Sequence, residues 1–447
     1  MIQQKKNQQN KLREHHEVFY FMKNQIVRAK CIDMSVDGQG IAKAGDLVVF
    51  VKEMIVGEEA DVKIIAEKKN YAFGIIDKLI VESPYRIKSD CPISYKCGGC
   101  DYRYINYDFQ LKLKKDVLIN TLKDFKVNDI IKDDNPYYYR NKVQIPVKDH
   151  QMGFYRKFSN DVVVFDDCLI ESKIANEIIA DLKKILIEAK LDKYFRHILI
   201  KHGKGTNEVM VGFIVNSFDI DLSNVVDYLV EKYPNIKSII MNLNDKDTNV
   251  ILGKEEKVLY GNDYIYDIYD GIKVKLSLKS FYQVNYEQML KLYAKIKEFS
   301  NVSKNDDVLD LYCGIGTISL YMARFAKHVT GVEIVEAAVN NARDNAKMNN
   351  MDNVDFVLAD ASKNMDEFIK GKDIVIVDPP RKGISKELIG SIIKNDIKRL
   401  VYVSCNPATL ARDLDILKQH YNIGEIQPVD MFGFTTHVEC VTVLNKK

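Results

Sequence analysis

Five short apolar segments between residues 308 and 404 restrict the fold of this 447-residue chain more than any other feature. Each has the length of a buried strand, and a polar or glycine-rich motif lies at or just after its end. The segments are Val308–Leu311, His328–Glu333, Val354–Leu358, Asp373–Val377 and Leu400–Val403. Because ligands bind at the carboxyl ends of parallel strands, the terminal motifs are candidate site residues. The pattern predicts an α/β fold for the second half of the chain.

A glycine turn follows the first segment. Cys313–Gly316 separates the strand from a predicted helix that begins at Thr317, and its glycines let the backbone approach a ligand closely. The first turn of that helix offers free N–H groups to the same ligand. A nicotinamide-binding loop would have a third glycine where this chain has Ser319, so that cofactor is disfavoured.

Acidic residues mark the ends of the next two segments. Glu333 ends the second, where a carboxylate can accept both hydroxyls of a ribose, as in NAD and S-adenosylmethionine sites. Asp360 follows the third and suits an adenine amine. The plainer interpretation of each is a solvated acid at a strand end, but their spacing favours a ligand.

The loop after the fourth segment reads Asp-Pro-Pro-Arg-Lys-Gly, from Asp378 to Gly383. Neither proline has an N–H group that competes for the acid, so Asp378 can face a ligand instead of capping its own turn.

A single thiol, Cys405, follows the fifth segment in the sequence Ser-Cys-Asn-Pro. A thiol at the end of a strand, beside the polar Asn406, is placed for nucleophilic attack. A lone cysteine is more often a packing residue, and only the neighbouring motifs favour the nucleophile. Farther along, Glu439 interrupts the apolar strand Val438–Leu444. Desolvation there would raise the carboxyl pKa, which suits a general base.

Four cysteines in the first half form a candidate metal site: Cys91, Cys97, Cys100 and Cys168. The pair Gly98-Gly99 lets the first loop wrap a metal, and four thiolates suit structural zinc or an iron–sulfur cluster. Disulfides are disfavoured, because no signal peptide is predicted and cysteines are sparse for a secreted chain. The remaining three, Cys31, Cys313 and Cys440, are predicted to be packing residues.

Taken together, the motifs resemble those of the RNA uracil-5-methyltransferases that use S-adenosylmethionine. They read D-L-Y-C-G-I-G-T, D-P-P-R-K-G, S-C-N-P-A-T-L-A-R-D and H-V-E-C-V. The resemblance implies a Rossmann-like methyltransferase domain in which Cys405 is the nucleophile and Glu439 the base. It also implies that S-adenosylmethionine is bound by Gln283, Tyr312, Glu333 and Asp378.

The same resemblance favours a four-iron cluster over zinc on Cys91, Cys97, Cys100 and Cys168, since the family's cluster motif has this spacing. One departure is Gly433-Phe434, which replaces a proline-containing sequence before the final His-Val-Glu. Two other methyltransferase classes are disfavoured. RNA cytosine-5 enzymes place a cysteine in the fourth-strand loop, and enzymes acting on base nitrogens have an aromatic residue where Arg381 stands.

The resemblance suggests four regions. Residues 1–18 are predicted to be a disordered basic tail, and residues 19–82 a TRAM domain, a small OB-like β-barrel that binds RNA. Residues 83–280 are predicted to form a mixed α+β central substrate domain with the iron–sulfur site. Residues 281–447 are predicted to form the methyltransferase domain.

Charge supports an RNA partner modestly. The net charge is only +2, but residues 85–157 carry fifteen basic side chains against nine acidic, whereas residues 301–447 carry eighteen against twenty. The basic excess lies in the first half, where phosphate contacts are expected. Tyr137–Lys142 mixes aromatic and basic residues, as base stacking requires, although a hydrophobic strand edge gives the same pattern.

Within the family, members with both barrel and cluster mostly act on large-subunit ribosomal RNA, so 23S rRNA is the expected substrate. The alternatives are the same reaction on tRNA and a non-catalytic RNA-binding protein. No apolar run reaches 18 residues, so no membrane span is predicted. We expect a cytoplasmic enzyme without an obligate protein partner.

Overall fold

The computed structural model describes residues 23–246 and 248–447, which divide into two compact units after Arg86. The predicted disordered tail, residues 1–18, lies outside the described residues. None of the described helices combines the length and the apolar character that a membrane span needs.

The first unit contains a closed five-stranded β-barrel with the strand order β1-β2-β3-β5-β4. Its strands are β1 (Ile26–Met34), β2 (Gly40–Ala44), β3 (Leu47–Lys52), β4 (Glu59–Glu67) and β5 (Tyr71–Val81). Burial alternates along β1, as expected for one face turned to the barrel interior, and Cys31 is buried there as predicted. The fully buried Glu58 accepts hydrogen bonds from Arg86 Nε at 2.6 Å and Nη2 at 2.8 Å. These two hydrogen bonds anchor the end of the unit to the barrel.

The second unit begins with a mixed α+β region built on a seven-stranded sheet of order β12-β11-β10-β9-β6-β7-β8. Its strands are β6 (Lys142–Lys148), β7 (Gln151–Tyr155), β8 (Val162–Val164), β9 (Phe195–His202), β10 (Val209–Val215), β11 (Ile236–Leu243) and β12 (Glu255–Gly261). The helices are α1 (Tyr107–Thr121), α2 (Lys173–Glu188) and α3 (Ser223–Lys232), with a 3₁₀ turn at Asp192–Tyr194. All seven residues of β10 are buried, because both faces of the strand are covered. Helices α2 and α3 pack in the core on one face. A hairpin of β13 (Tyr264–Tyr269) and β14 (Ile272–Ser277) packs in the core on the other face.

The rest of the unit is a second sheet with helices packed against it. Its strands are β15 (Asp307–Leu311), β16 (His328–Glu333), β17 (Val354–Leu358), β18 (Ile374–Val377), β19 (Arg399–Ser404), β20 (Tyr421–Ile423), β21 (Gln427–Val429) and β22 (Glu439–Lys446). The helices are α4 (Tyr286–Ser300), α5 (Thr317–Ala323), α6 (Glu336–Met348), α7 (Asp366–Ile369), α8 (Lys386–Lys394) and α9 (Pro407–Leu417).

Five strands of this sheet are parallel, which confirms the predicted α/β fold. The order is β17-β16-β15-β18-β19-β22-β20, with β21 paired to β22. The chain reverses its direction of winding between β15 and β18, the position at which such sheets bind ligands. β22 is antiparallel to β19, so its first residue lies at the edge where the parallel strands end.

Candidate active site

The carboxyl edge of the second sheet brings three of the predicted side chains together. Asp378 follows β18, Cys405 follows β19, and Glu439 opens β22, in which Cys440 pairs with Ser404. Both carboxylates are close enough to act electrostatically on the Cys405 thiol. The nucleophile and base predicted from the sequence are therefore neighbours.

Burial dominates the electrostatics of this group. Burial first, and then the charges of Glu439 and Asp378, raise the pKa of Cys405 to about 11, against the opposing effect of Arg381. Burial, with a contribution from Asp378, also raises the pKa of Glu439 well above its usual range. The pKa of Asp378 rises to about 6 for the same reason. Neither carboxylate makes a hydrogen bond with a described residue, so both can serve a substrate.

Two further residues at this edge, Arg381 and His437, were not predicted as site residues. Arg381 is the cation that acts on Cys405 and Glu439, and its Nη2 lies 3.1 Å from Nε2 of His437. The carbonyl of Arg381 accepts a hydrogen bond from Asn406 Nδ2 at 2.9 Å, which joins the loops after β18 and β19. Both residues stand inside the sequence motifs, which is the signal that could have found them.

Glu333 supports the glycine turn after β15. Its Oε2 accepts a hydrogen bond from the Gly314 N–H at 3.1 Å, and its Oε1 accepts those of Ile334 and Val335 at 2.8 and 2.9 Å. A carboxylate has about four acceptor positions, so one remains for a ligand hydroxyl. The nearby Tyr312 has a positive φ of 66° and a buried hydroxyl with no hydrogen-bond partner among the described residues.

A buried acid, Asp310, precedes the glycine turn and was not predicted from the sequence. Asp310 accepts a hydrogen bond from Ser319 Oγ at 2.5 Å, and burial raises its pKa to about 7. Like Glu439, it is an acid within an apolar strand, and that was the available signal. Gly316 has a φ of 83°, and an added Cβ would lie 2.6 Å from the Phe356 ring, so only glycine fits.

Gln283 is buried in the segment between β14 and α4. Its carbonyl accepts a hydrogen bond from Asn141 Nδ2 at 2.9 Å, but no hydrogen bond joins its side chain to the other predicted site residues. The buried Lys201 fixes the start of this segment by donating to the carbonyls of Ser277 and Ser280 at 2.6 and 2.7 Å.

The four predicted metal-binding cysteines line one cavity of about 320 Å³: Cys91, Cys97, Cys100 and Cys168. Among the described residues, no three histidine, cysteine or acidic side chains converge on a point that could hold a single metal ion. Burial raises the pKa of Cys100 to about 12, and it raises the pKa of Cys168 as well. The cavity would therefore hold thiolates only if a cationic group compensated them.

Two arginines line the same cavity and fit an anionic occupant. Arg103 Nε and Arg140 Nε are buried, and neither has a hydrogen-bond partner among the described residues. Arg140 forms an ion pair with the buried Glu171 at 3.3 Å. The Arg103 Nε–H group without a partner, beside four thiols, suits a metal group that carries thiolate charge.

A loop before β22 joins the cysteine cavity to the catalytic edge. Phe434 in this loop forms a cluster with Tyr139 and Ile170, and Cys100 and Cys168 pack against that cluster. The guanidinium of Arg103 lies 3.8 Å from the Phe434 ring centroid. The Phe434 carbonyl accepts hydrogen bonds from the N–H groups of Asp101 and Tyr102 at 2.8 and 3.0 Å. Gly433-Phe434, the segment that departs from the family's proline-containing sequence, therefore contacts the loop of the cysteine cavity.

The stretch Tyr137–Lys142 is structural where it was expected to stack on RNA. Tyr139 is buried, and its hydroxyl donates to the Gly433 carbonyl at 3.2 Å. The ring of Tyr137 lies 5.2 Å from that of Phe434. The base-stacking interpretation is wrong for Tyr139, because burial withholds its ring from any ligand base.

A buried ion pair holds the same loop from the other side. Lys114 of α1 donates to Asp430 Oδ1 at 2.5 Å and to the carbonyls of Phe432 and His437 at 3.1 and 3.0 Å. Tyr107 donates its hydroxyl to the other oxygen of Asp430 at 2.6 Å. The loop that leads to Glu439 is thus fixed by α1.

Comparison with known proteins identifies the family of the chain. A family model described as tRNA (Uracil-5-)-methyltransferase matches residues 106–447, and the TRAM domain model matches residues 21–76. The crystal structure of the Pyrococcus abyssi tRNA (uracil-54, C5)-methyltransferase in complex with S-adenosyl-L-homocysteine superposes with a TM-score of 0.78. It is 29% identical and covers 94% of this chain and 99% of its own. The fold and site therefore define an S-adenosylmethionine-dependent methyltransferase.

Sequence relatives agree. A Bacillus cereus RNA methyltransferase is 41% identical and covers 95% of this chain and 97% of its own length. A Staphylococcus aureus RNA methyltransferase is 39% identical and covers 95% and 99%. The chain belongs to the RNA uracil-5-methyltransferase family and carries a TRAM domain, as the motifs predicted.

The buried ion pair generates a prediction. Lys114→Met leaves the Asp430 carboxylate buried without its cation, so we expect a loss of about 3–5 kcal/mol in the free energy of unfolding. The neighbouring Lys115 pairs with the exposed Asp129, and Lys115→Met should cost at most about 1 kcal/mol. Urea denaturation of both variants measures the difference. Equal losses would contradict the assigned importance of the pair.

Proposed function

We propose that this chain transfers a methyl group from S-adenosylmethionine to carbon 5 of a uridine in 23S rRNA. The observation that carries the reaction is Cys405 at the end of β19, with Glu439 and Asp378 beside it. Ribosomal RNA is favoured because a barrel and a cysteine cavity occur together, as in family members that modify large-subunit RNA. The alternative substrate is tRNA, which the name of the archaeal structure supports.

The proposed chemistry uses these side chains in sequence. Carbon 5 of uracil is a poor nucleophile, so the Cys405 thiol first loses its proton to solvent, and the resulting thiolate adds to carbon 6 and gives an enolate. Carbon 5 then takes the methyl group from the sulfonium. Glu439 in its ionised form removes the proton from carbon 5, and the carbon–sulfur bond breaks to restore the ring and release the thiolate, which takes up a proton from solvent. Asp378, whose pKa burial raises to about 6, serves as a hydrogen-bond acceptor in the pocket.

Gln283, Tyr312 and Glu333 are proposed to bind S-adenosylmethionine. The unpartnered Tyr312 hydroxyl and the remaining acceptor position of Glu333 lie at the glycine turn, where a nucleoside would be expected. Residues 19–82 are proposed as an RNA-binding module, and residues 83–280 as the region that fits the substrate.

The nucleophile can be tested by trapping. Cys405→Ala should abolish methylation and leave S-adenosylmethionine binding within about twofold, because the thiol acts only on the base. RNA containing 5-fluorouridine should form a covalent adduct at Cys405, since fluorine blocks the final proton removal. Peptide mapping by mass spectrometry locates the adduct, and Cys440→Ala, which removes a buried neighbouring thiol, should still form it. An adduct at another cysteine would remove the assignment.

The base can be tested through stability and turnover together. Glu439→Gln should accumulate enzyme–RNA adducts on normal substrate, because proton removal fails after methyl transfer. A buried acid with a raised pKa destabilises the fold as the pH rises above the ordinary carboxyl range. The variant should therefore melt at a higher temperature than the parent at pH 8, and the difference should vanish near pH 4. Failure before adduct formation in this stable variant would give Glu439 another role.

The cysteine cavity is proposed to hold a four-iron cluster with a structural role. Four tetrahedral thiolates at about 2.3 Å from one zinc ion would lie within about 4 Å of one another. The observation that supports a larger group is the cavity of about 320 Å³ that the four thiols line. Such a cluster would join the loop at 91–100 to Cys168 and support the segment that holds Phe434.

Anaerobically purified protein should be brown, with similar amounts of iron and sulfide. Cys168→Ser should remove the colour and lower the affinity for RNA more than that for S-adenosylmethionine, since the cluster supports the substrate region. Cys31→Ala, which alters a thiol inside the barrel, should keep the colour. Stoichiometric zinc without sulfide would replace the cluster with a zinc site.

The substrate can be identified in a deletion strain. Nucleoside mass spectrometry should show the loss of 5-methyluridine from 23S rRNA and its retention in tRNA. Complementation with the parent chain should restore the nucleoside, and complementation with Cys405→Ala should not. Loss from tRNA alone would establish the alternative substrate.

A further inference from the structure

We propose that the hairpin between β7 and β8 provides a stacking contact for an unpaired base of the substrate RNA, centred on Phe158. The proposal rests on the function proposed above, because it adds a second contact for the same RNA. It concerns a residue that belongs to neither the catalytic group nor the cysteine cavity.

Phe158 is the most exposed large hydrophobic side chain among the described residues, with 85% of its surface accessible. It also has a positive φ of 60°, a conformation that bulky side chains rarely adopt. Neither burial nor local backbone preference explains a phenylalanine at this position. An exposed aromatic face on an RNA-modifying enzyme is suited to stack on a base.

The hairpin that carries Phe158 is held firmly. The N–H of Arg156 donates to the Asp161 carbonyl at 2.8 Å, and the N–H of Ser159 donates to the Arg156 carbonyl at 3.1 Å, which closes the tip. At its base, Phe154 stacks on Phe165 with ring centroids 4.7 Å apart. A rigid tip loses little entropy when it binds, which favours a recognition role.

The tip is also joined to the loop of the cysteine cavity. The N–H of Gly98 donates to the Tyr155 carbonyl at 2.9 Å, and Cys97 pairs with Arg156 in an isolated β-bridge. An added Cβ at Gly98 would lie 2.9 Å from that carbonyl, so the close approach requires glycine. The position of Phe158 therefore depends on the order of the cysteine loop.

The surrounding charge suits a nucleic acid strand. Arg156 is exposed and Lys157 lies with its Nζ 5.8 Å from the Phe158 ring, while Asp161 is the acid at the tip. Lys157 also forms an ion pair with Asp101. Arg156, an exposed cation in the same hairpin as the exposed Phe158 ring, suits the phosphate next to a stacked base, the combination used by proteins that bind single strands.

The chain contains no tryptophan, so Phe158→Trp places a unique fluorophore at the tip. We expect its emission to be quenched when unmodified 23S rRNA transcript is added, and to be unchanged by polyphosphate, which carries charge without bases. Phe158→Ala should lower RNA affinity in filter binding by roughly five- to a hundredfold and leave S-adenosylmethionine affinity unchanged. The matched control is Tyr228→Trp on α3, which should bind RNA equally and show no quenching.

Unquenched Phe158→Trp emission at RNA concentrations that saturate filter binding would overturn the proposal. Equal quenching by polyphosphate would also overturn it, because the contact would then be one of charge alone. Formation of 5-methyluridine is measured in the same samples. If the RNA is methylated but the emission is unquenched, only the stacking proposal is contradicted. If the emission is quenched but no 5-methyluridine forms, the proposed function is contradicted and the stacking contact stands.

Discussion

The buried ion pair between Lys114 and Asp430 is the interaction on which the arrangement of the active site depends. Both side chains are almost fully removed from water, so neither charge can be tolerated there without the other. Lys114 also donates to two carbonyls of the loop that leads to β22. The position of Glu439 at the edge of the sheet therefore follows from a helix that belongs to the first part of the chain.

The same loop makes the cysteine cavity and the catalytic edge parts of one structure. Phe434 belongs to a cluster against which Cys100 and Cys168 pack, and three residues later His437 lies beside Arg381, the cation that acts on Cys405. A change in the cysteine loop would thus reach the reacting thiol through packed side chains.

The parallel sheet could be predicted because its strands are short apolar runs. β16 and β17 have the predicted limits, and Glu439 was found because an acid interrupts an apolar strand. Lys114 could not be predicted, since it stands in the lysine-rich α1 and its partner is 316 residues away. Tyr139 was misinterpreted because aromatic and basic residues in alternation look alike whether a fold buries or exposes them.

The position of β22 has a consequence for synthesis on the ribosome. This strand follows every other described strand in the chain, yet it lies between β19 and β20 in the sheet. Until β22 emerges, β19 presents an unpaired edge that can bind another chain. A nascent molecule thus passes through an aggregation-prone stage, and it acquires Glu439 in the same late event that covers the edge of β19, so incomplete chains contain Cys405 without Glu439 beside it.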